Sequence, residues 1–207
     1  MKTKTVALLL ATSFLTLQAA ENTHQYYKLN DKHELVRPVD YRTWVYVGTP
    51  VTPNDLNGGH AAFPEMHNVY IDPESYKVYK ETGKFRDGTV IVKELVSVGA
   101  TQAVSGKGYF EGEFIGLEAS VKSKKDFPNE SGNWAIFSFS DMKTGVLKES
   151  APVMPVASCT ACHQASAADD FIFTQYYPVL RAAKGMGKIN PENSPKRVIP
   201  KTEKKEK

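Results

Sequence analysis

Asp87-Gly-Thr-Val-Ile-Val-Lys-Glu-Leu-Val96 and Tyr109-Phe-Glu-Gly-Glu-Phe-Ile-Gly-Leu-Glu-Ala-Ser-Val121 decide the fold of this 207-residue chain. The first stretch opens on a turn dipeptide and continues as a β-branched run, which predicts a strand over 89–96. In the second, Leu117, Ala119 and Val121 fall on one face and Glu118, Ser120 and Lys122 on the other, the period-2 pattern of a half-buried strand. Asn129 to Gly132 makes a polar turn, and Trp134 to Phe139 supplies another apolar strand. Upstream, Val69-Tyr70-Ile71 ends a strand. Asp72-Pro73 then opens a short helix over 74–82, with Asp72 as N-cap, Pro73 at the first helical position and Gly83 as the stop. Tyr41 to Val47 reads equally as a helix end or a strand. Strands joined by short turns predict a mainly β (α+β) chain, a small antiparallel sheet with a few helices. Near the C-terminus, 164–181 has a helical pattern that Pro178 must break or kink.

Lys2 and Lys4 precede an apolar stretch, Val6 to Leu17, that exits through Ala19-Ala20, the layout of a signal peptide over 1–20. That stretch is shorter than the ~20 residues of a membrane span, and no later segment approaches that length. The mature chain is therefore expected to be periplasmic and not membrane-embedded. One domain over 21–188 fits the remaining length. Residues 189–207 contain three prolines, no aromatic residue and a lysine-rich end, so they read as a disordered basic tail. Its role is solubilisation or the docking of an acidic redox partner. Without Lys2 and Lys4 the chain holds 24 basic and 23 acidic residues, and from Lys184 onward 8 and 3, leaving 16 and 20 in the body. A mildly acidic exported body gives no support for nucleic-acid binding.

The only two cysteines lie in Cys159-Thr160-Ala161-Cys162-His163. Two thiols three positions apart can join the two vinyl groups of one porphyrin, and the histidine that follows is placed to ligate its iron. The spacing points to one covalently attached haem c, with His163 as the metal ligand. The alternatives are a disulfide in a very short loop or a redox Cys-x-x-Cys, and the latter wants a βαβ context that is absent from the pattern. Only 44 residues follow His163, and Met186 falls at the edge of the tail, so a His/Met electron-transfer site is not expected. Met66 and Met154 precede the motif and read as core fillers.

Several segments ahead of this motif resemble the cytochromes P-460 and the related β-sheet cytochromes c′. They are Tyr41-Arg42-Thr43-Trp44, the block 47–54, Asn68 to Glu74, Phe85 to Thr89 with Lys93-Glu94-Leu95, and Gly132-Asn133-Trp134-Ala135. The resemblance implies a small antiparallel β fold, usually a homodimer, with one five-coordinate haem open on its distal side. It also implies oxidation of hydroxylamine, with nitric oxide and nitrous oxide as associated species, and a soluble cytochrome as electron partner. For members of the second kind it implies nitric oxide binding or less defined redox roles. A simple electron carrier is the remaining class.

Oxidation of hydroxylamine needs a vacant iron position, a base within hydrogen-bond reach and a nearby cation. Arg42, in the Tyr-Arg-x-Trp block, is the candidate cation, with a surface ion pair as the alternative. Glu149, ten residues before Cys159, is the candidate base, with a solvated loop glutamate as the alternative. The resemblance also implies a lysine bonded to the porphyrin edge, on the strand entering Val69-Tyr70-Ile71-Asp72-Pro73. This chain has His67 and Asn68 there, which leaves Lys93, set among Val and Ile, as the candidate for that bond. His67 is a candidate distal hydrogen-bond donor or sixth ligand. Phe63, Tyr70, Trp134 and Phe137 are available to wall the pocket.

Overall fold

The computed structural model describes residues 24–141 and 143–183, so the expected signal peptide and basic tail lie outside the described residues. Among the described residues nine strands run in chain order: β1 (Leu35–Val36), β2 (Val45–Gly48), β3 (Met66–Ile71), β4 (Val90–Val98), β5 (Gln102–Ala103), β6 (Gly106–Lys107), β7 (Glu111–Lys122), β8 (Trp134–Ser138) and β9 (Ser150–Ala151). Five of them form one antiparallel sheet in the order β2-β3-β4-β7-β8. The chain is mainly β, as its alternating segments predict. β4 lies in the middle, and Val90, Ile91 and Val92 are all buried because both of its faces are covered.

The helix between β3 and β4, α1 (Pro73–Thr82), starts and stops where the sequence places it. Asp72 accepts a 2.8 Å bond from the Ser75 amide, and Pro73 fills a position whose N–H would have no helical partner. Gly83 ends the helix at φ 68°, a left-handed conformation that glycine adopts without a Cβ clash. The undecided segment is both of its options in turn, a 3-10 turn over Tyr41–Thr43 followed by β2.

The two faces of the sheet bury separate cores. On one side Val90, Val92, Leu117, Ala119, Val121 and Phe137 pack with Tyr41 and the β1–β9 pair. On the other, Val69, Ile71, Ile91 and Trp134 pack with Tyr79 of α1 and Ile172, Tyr177 and Leu180. Strand alternation therefore assigns neighbouring residues of β4 to opposite sides: Glu94 to the first face and Lys93 to the second. The ladder from β7 to β8 begins at Glu118, and Phe139 continues it only to Leu117. The exposed segment Glu111–Ile115 therefore runs past β8, with β4 pairing it on one side through Val96–Phe114 and Val98–Glu111.

The expected helix over 164–181 is not continuous. A short helix α2 (Thr160–Ser166) ends at Ala167, a turn follows, and α3 (Pro178–Ala183) begins at the proline expected to break it. Long-range contacts to the intervening residues override the local helical pattern.

Candidate functional site

Cys159 is the N-cap residue of α2, and Cys162 and His163 lie within its first turn. Both thiols are free, Cys159 partly buried and Cys162 exposed. Burial raises the Cys159 thiol above its usual range, the Glu118 carboxylate adds to this, and Lys93 opposes it. His163 places Nδ1 2.8 Å from the carbonyl oxygen of Phe171. A carbonyl only accepts, so the proton sits on Nδ1 and the lone pair of Nε2 is left for a metal. Burial, the largest cause, lowers the His163 pKa against the opposing Phe171 carbonyl, and nearby Lys93 lowers it further, favouring the neutral form that a metal requires. The Phe173 ring stands edge-on to the imidazole, with centroids 4.7 Å apart.

The second face of the sheet looks toward this motif. Lys93 and Glu118 are register partners on β4 and β7, and their side chains meet at 2.7 Å. Both are about three-quarters buried, with exposures of 27% and 25%, so the pair is partly shielded from water and salt. Their charges act on both Cys159 and His163, which brings the pair and the motif into one electrostatic environment. On β3, His67 contacts Glu65 at 3.2 Å. Burial, then Lys93, holds its pKa below the usual histidine value. Phe63 flanks both, with its ring 6.3 Å from that of His67 and 5.7 Å from the Lys93 ammonium.

Between sheet and motif lies a small hollow lined by Ser120, Trp134, Ile136, Thr160, His163 and Phe171. The Trp134 side chain is buried and its indole N–H has no hydrogen-bond partner among the described residues. An orphaned buried donor of this kind marks a wall built against a further polar group. Among the described residues no three His, Cys, Asp or Glu side chains cluster to hold a metal ion. Two free thiols, an imidazole with its outer nitrogen open and an unsatisfied donor fit a macrocycle that brings its own nitrogen ligands.

The turn after α2 sets the position of the Phe171 carbonyl. Asp170 and Phe171 adopt φ of 43° and 64°, unusual for two successive residues with side chains. Each such conformation costs on the order of 1–3 kcal/mol and persists only where the surroundings enforce it. Lys122 supplies one restraint, binding the Gly132 carbonyl at 2.7 Å and Asp170 at 3.0 Å. Tyr79 supplies another by donating to Asp169 at 2.7 Å.

Four of the candidates read from the sequence therefore share one side of the molecule with His163: Cys159, Cys162, Lys93 and His67. Arg42 and Glu149 do not. Arg42 donates from Nε to Glu94 at 2.9 Å and also bonds it through Nη2, and Tyr41 donates to the same oxygen at 2.9 Å. Glu94 points to the opposite face of the sheet from Lys93, and Arg42 goes with it. Glu149 pairs with Arg37 at 2.9 Å, and its side chain is 90% exposed. Of the available aromatic residues, Phe63 and Trp134 face the motif side, whereas Tyr70 and Phe137 pack on the other. Sequence reasoning missed Glu118. Its only signal was a place on the polar side of the 117–121 alternation, where a carboxylate reads as solvated.

A family model described as Cytochrome P460 matches residues 38–174, which takes in every strand of the main sheet and the cysteine motif. A search of curated proteins finds no match.

Proposed function

We propose the following on the premise that this chain belongs to the cytochrome P460 family: it is an exported, periplasmic c-type haem protein that oxidises hydroxylamine. The observation that carries the reading is the Lys93–Glu118 pair at 2.7 Å, on the sheet face that looks toward His163. Bound haem would supply an iron centre able to take a nitrogen ligand and to accept electrons. Cys159 and Cys162 would hold the macrocycle through two thioethers, and Nε2 of His163 would ligate the metal. The Nδ1–H bond to Phe171 fixes the tautomer and makes Nε2 more basic. Glu118 takes the protons that substrate loses as it is oxidised. Lys93 holds that carboxylate in place, and its amine is the one on this face that a bond to the porphyrin edge would have to use. His67, neutral and half-buried, offers a hydrogen bond, and Phe63 limits the water beside it. The leader at Lys2, Lys4 and Val6–Leu17 supports export, and family resemblance supports a homodimer passing electrons to a soluble cytochrome.

A second reading, a protein that captures nitric oxide without turnover, is favoured by the same pair if it persists, because a carboxylate oxygen engaged by the Lys93 ammonium is not free to reach a substrate proton. Hydroxylamine oxidation by the holoprotein with an artificial acceptor separates the two. The wild type should turn over, and Glu118→Gln should lose roughly 10²–10⁴-fold in kcat while still binding nitric oxide. A wild type that binds nitric oxide but never oxidises hydroxylamine replaces the first reading with the second. A tryptic peptide bearing both haem and the Lys93 strand would show the third covalent link.

A further inference from the structure

We infer that Lys122 and Asp170 are positioning residues for the proximal imidazole, acting on His163 through the carbonyl of Phe171. The inference rests on His163 being the iron ligand and adds a device that sets how strongly it binds. The carbonyl reaches Nδ1 at 2.8 Å from a turn, 169–171, that holds two successive left-handed residues. Three restraints converge on that turn from distant parts of the chain. The Lys122 ammonium, 12% exposed and 5.3 Å from the centre of the Trp134 ring, bridges Asp170 and the Gly132 carbonyl. The Phe171 ring occupies the space a Cβ at Gly132 would need. Tyr79 holds Asp169, whose carbonyl accepts from Ile172 at 2.8 Å.

Of these restraints the shielded ion pair is the one whose loss leaves the core intact. Without it the turn keeps the Phe171 ring contact and the Tyr79–Asp169 bond but loses its hold on Asp170, so the left-handed pair is less populated and the carbonyl spends less time against Nδ1. A weaker Nδ1–H bond leaves Nε2 less basic, so its bond to iron weakens and the reduced state gains relative to the oxidised one.

The test uses the haem-loaded protein. Resonance Raman of the ferrous form reads the iron–histidine stretching band, and redox titration reads the potential. Lys122→Met should lower the band frequency and raise the potential, Asp170→Asn should shift both the same way, and Lys122→Arg should restore the wild-type values. Asp170→Asn is nearly isosteric and carries the test if Lys122→Met does not fold. Folded variants with the wild-type band and potential, differing only in melting temperature, would overturn the positioning role and leave the ligand assignment intact. Absence of any iron–histidine band in the wild type would overturn both.

Discussion

Replacing Asp72 by Ala should destabilise the protein by about 4–5 kcal/mol, the sum of three separate losses. Asp72 sits where β3, α1 and β4 meet, at the base of the two strands that carry His67 and Lys93, and it is 0% exposed. Its Oδ1 accepts from the Ser75 amide at 2.8 Å, and a lost N-cap costs about 1 kcal/mol. Its Oδ2 accepts from the Val90 amide at 2.8 Å, and a buried N–H left without a partner costs about 2 kcal/mol. Arg86 donates to Oδ1 at 3.3 Å, a long bond worth about 1.5 kcal/mol, the low end for charged partners. Arg86 keeps a contact to Glu74 at 3.3 Å, so it is not left wholly unpaired. For a chain of this size each kcal/mol lowers the melting temperature by about 2–4 °C, so the fall should be on the order of 10–15 °C. Thermal denaturation followed by circular dichroism measures it. Asp72→Asn, which keeps one acceptor but presents an amide N–H₂ to a donor, should lie between Ala and wild type. A fall of less than about 3 °C in the Ala variant would show that the three bonds do not carry this junction.

Burial pushes the Tyr177 pKa up to about 12 from an ordinary 10.0. The stability this confers is present below pH 10 and is lost as pH rises toward about 12, so Tyr177→Phe should move the alkaline unfolding midpoint upward; equal midpoints would contradict the argument. Cys159→Ser and Cys162→Ser should each leave haem attached through the remaining thiol, and the double variant should lose haem staining on a denaturing gel; a stained double variant would remove the thioether assignment. Glu149→Gln should leave turnover unchanged and shift stability by no more than about 0.5 kcal/mol, because its carboxylate faces solvent and pairs with Arg37. A loss of turnover as large as that predicted for Glu118→Gln would return Glu149 to the site.

The parts legible in the sequence were those whose causes are local. The Asp72-Pro73 start and Gly83 stop of α1 are set within a dozen residues, and so is the face that Leu117, Ala119 and Val121 share. The cysteine motif carries its chemistry in five positions. The segment 164–181 misled because its helical pattern is real but short. What interrupts it, Lys122, Gly132 and Tyr79, lies from about 40 to 90 residues away in the chain. Glu118 stayed hidden for a related reason: only the β4–β7 register brings it to Lys93, and register is set by tertiary pairing. Arg42 was drawn toward the site by its block of sequence, yet the carboxylate that binds it, Glu94, is one residue from Lys93 and so faces the other way.

The overhang of β7 beyond β8 has a cost and a guard. Backbone amides and carbonyls on its outer side, free of any ladder among the described residues, are a template on which another polypeptide edge can seat. Glu111 and Glu113 stand on that stretch, so two such margins brought together would juxtapose like charges. Edgewise growth is thus opposed by electrostatic repulsion at a handful of positions, while the long arm stays free to extend past its neighbour.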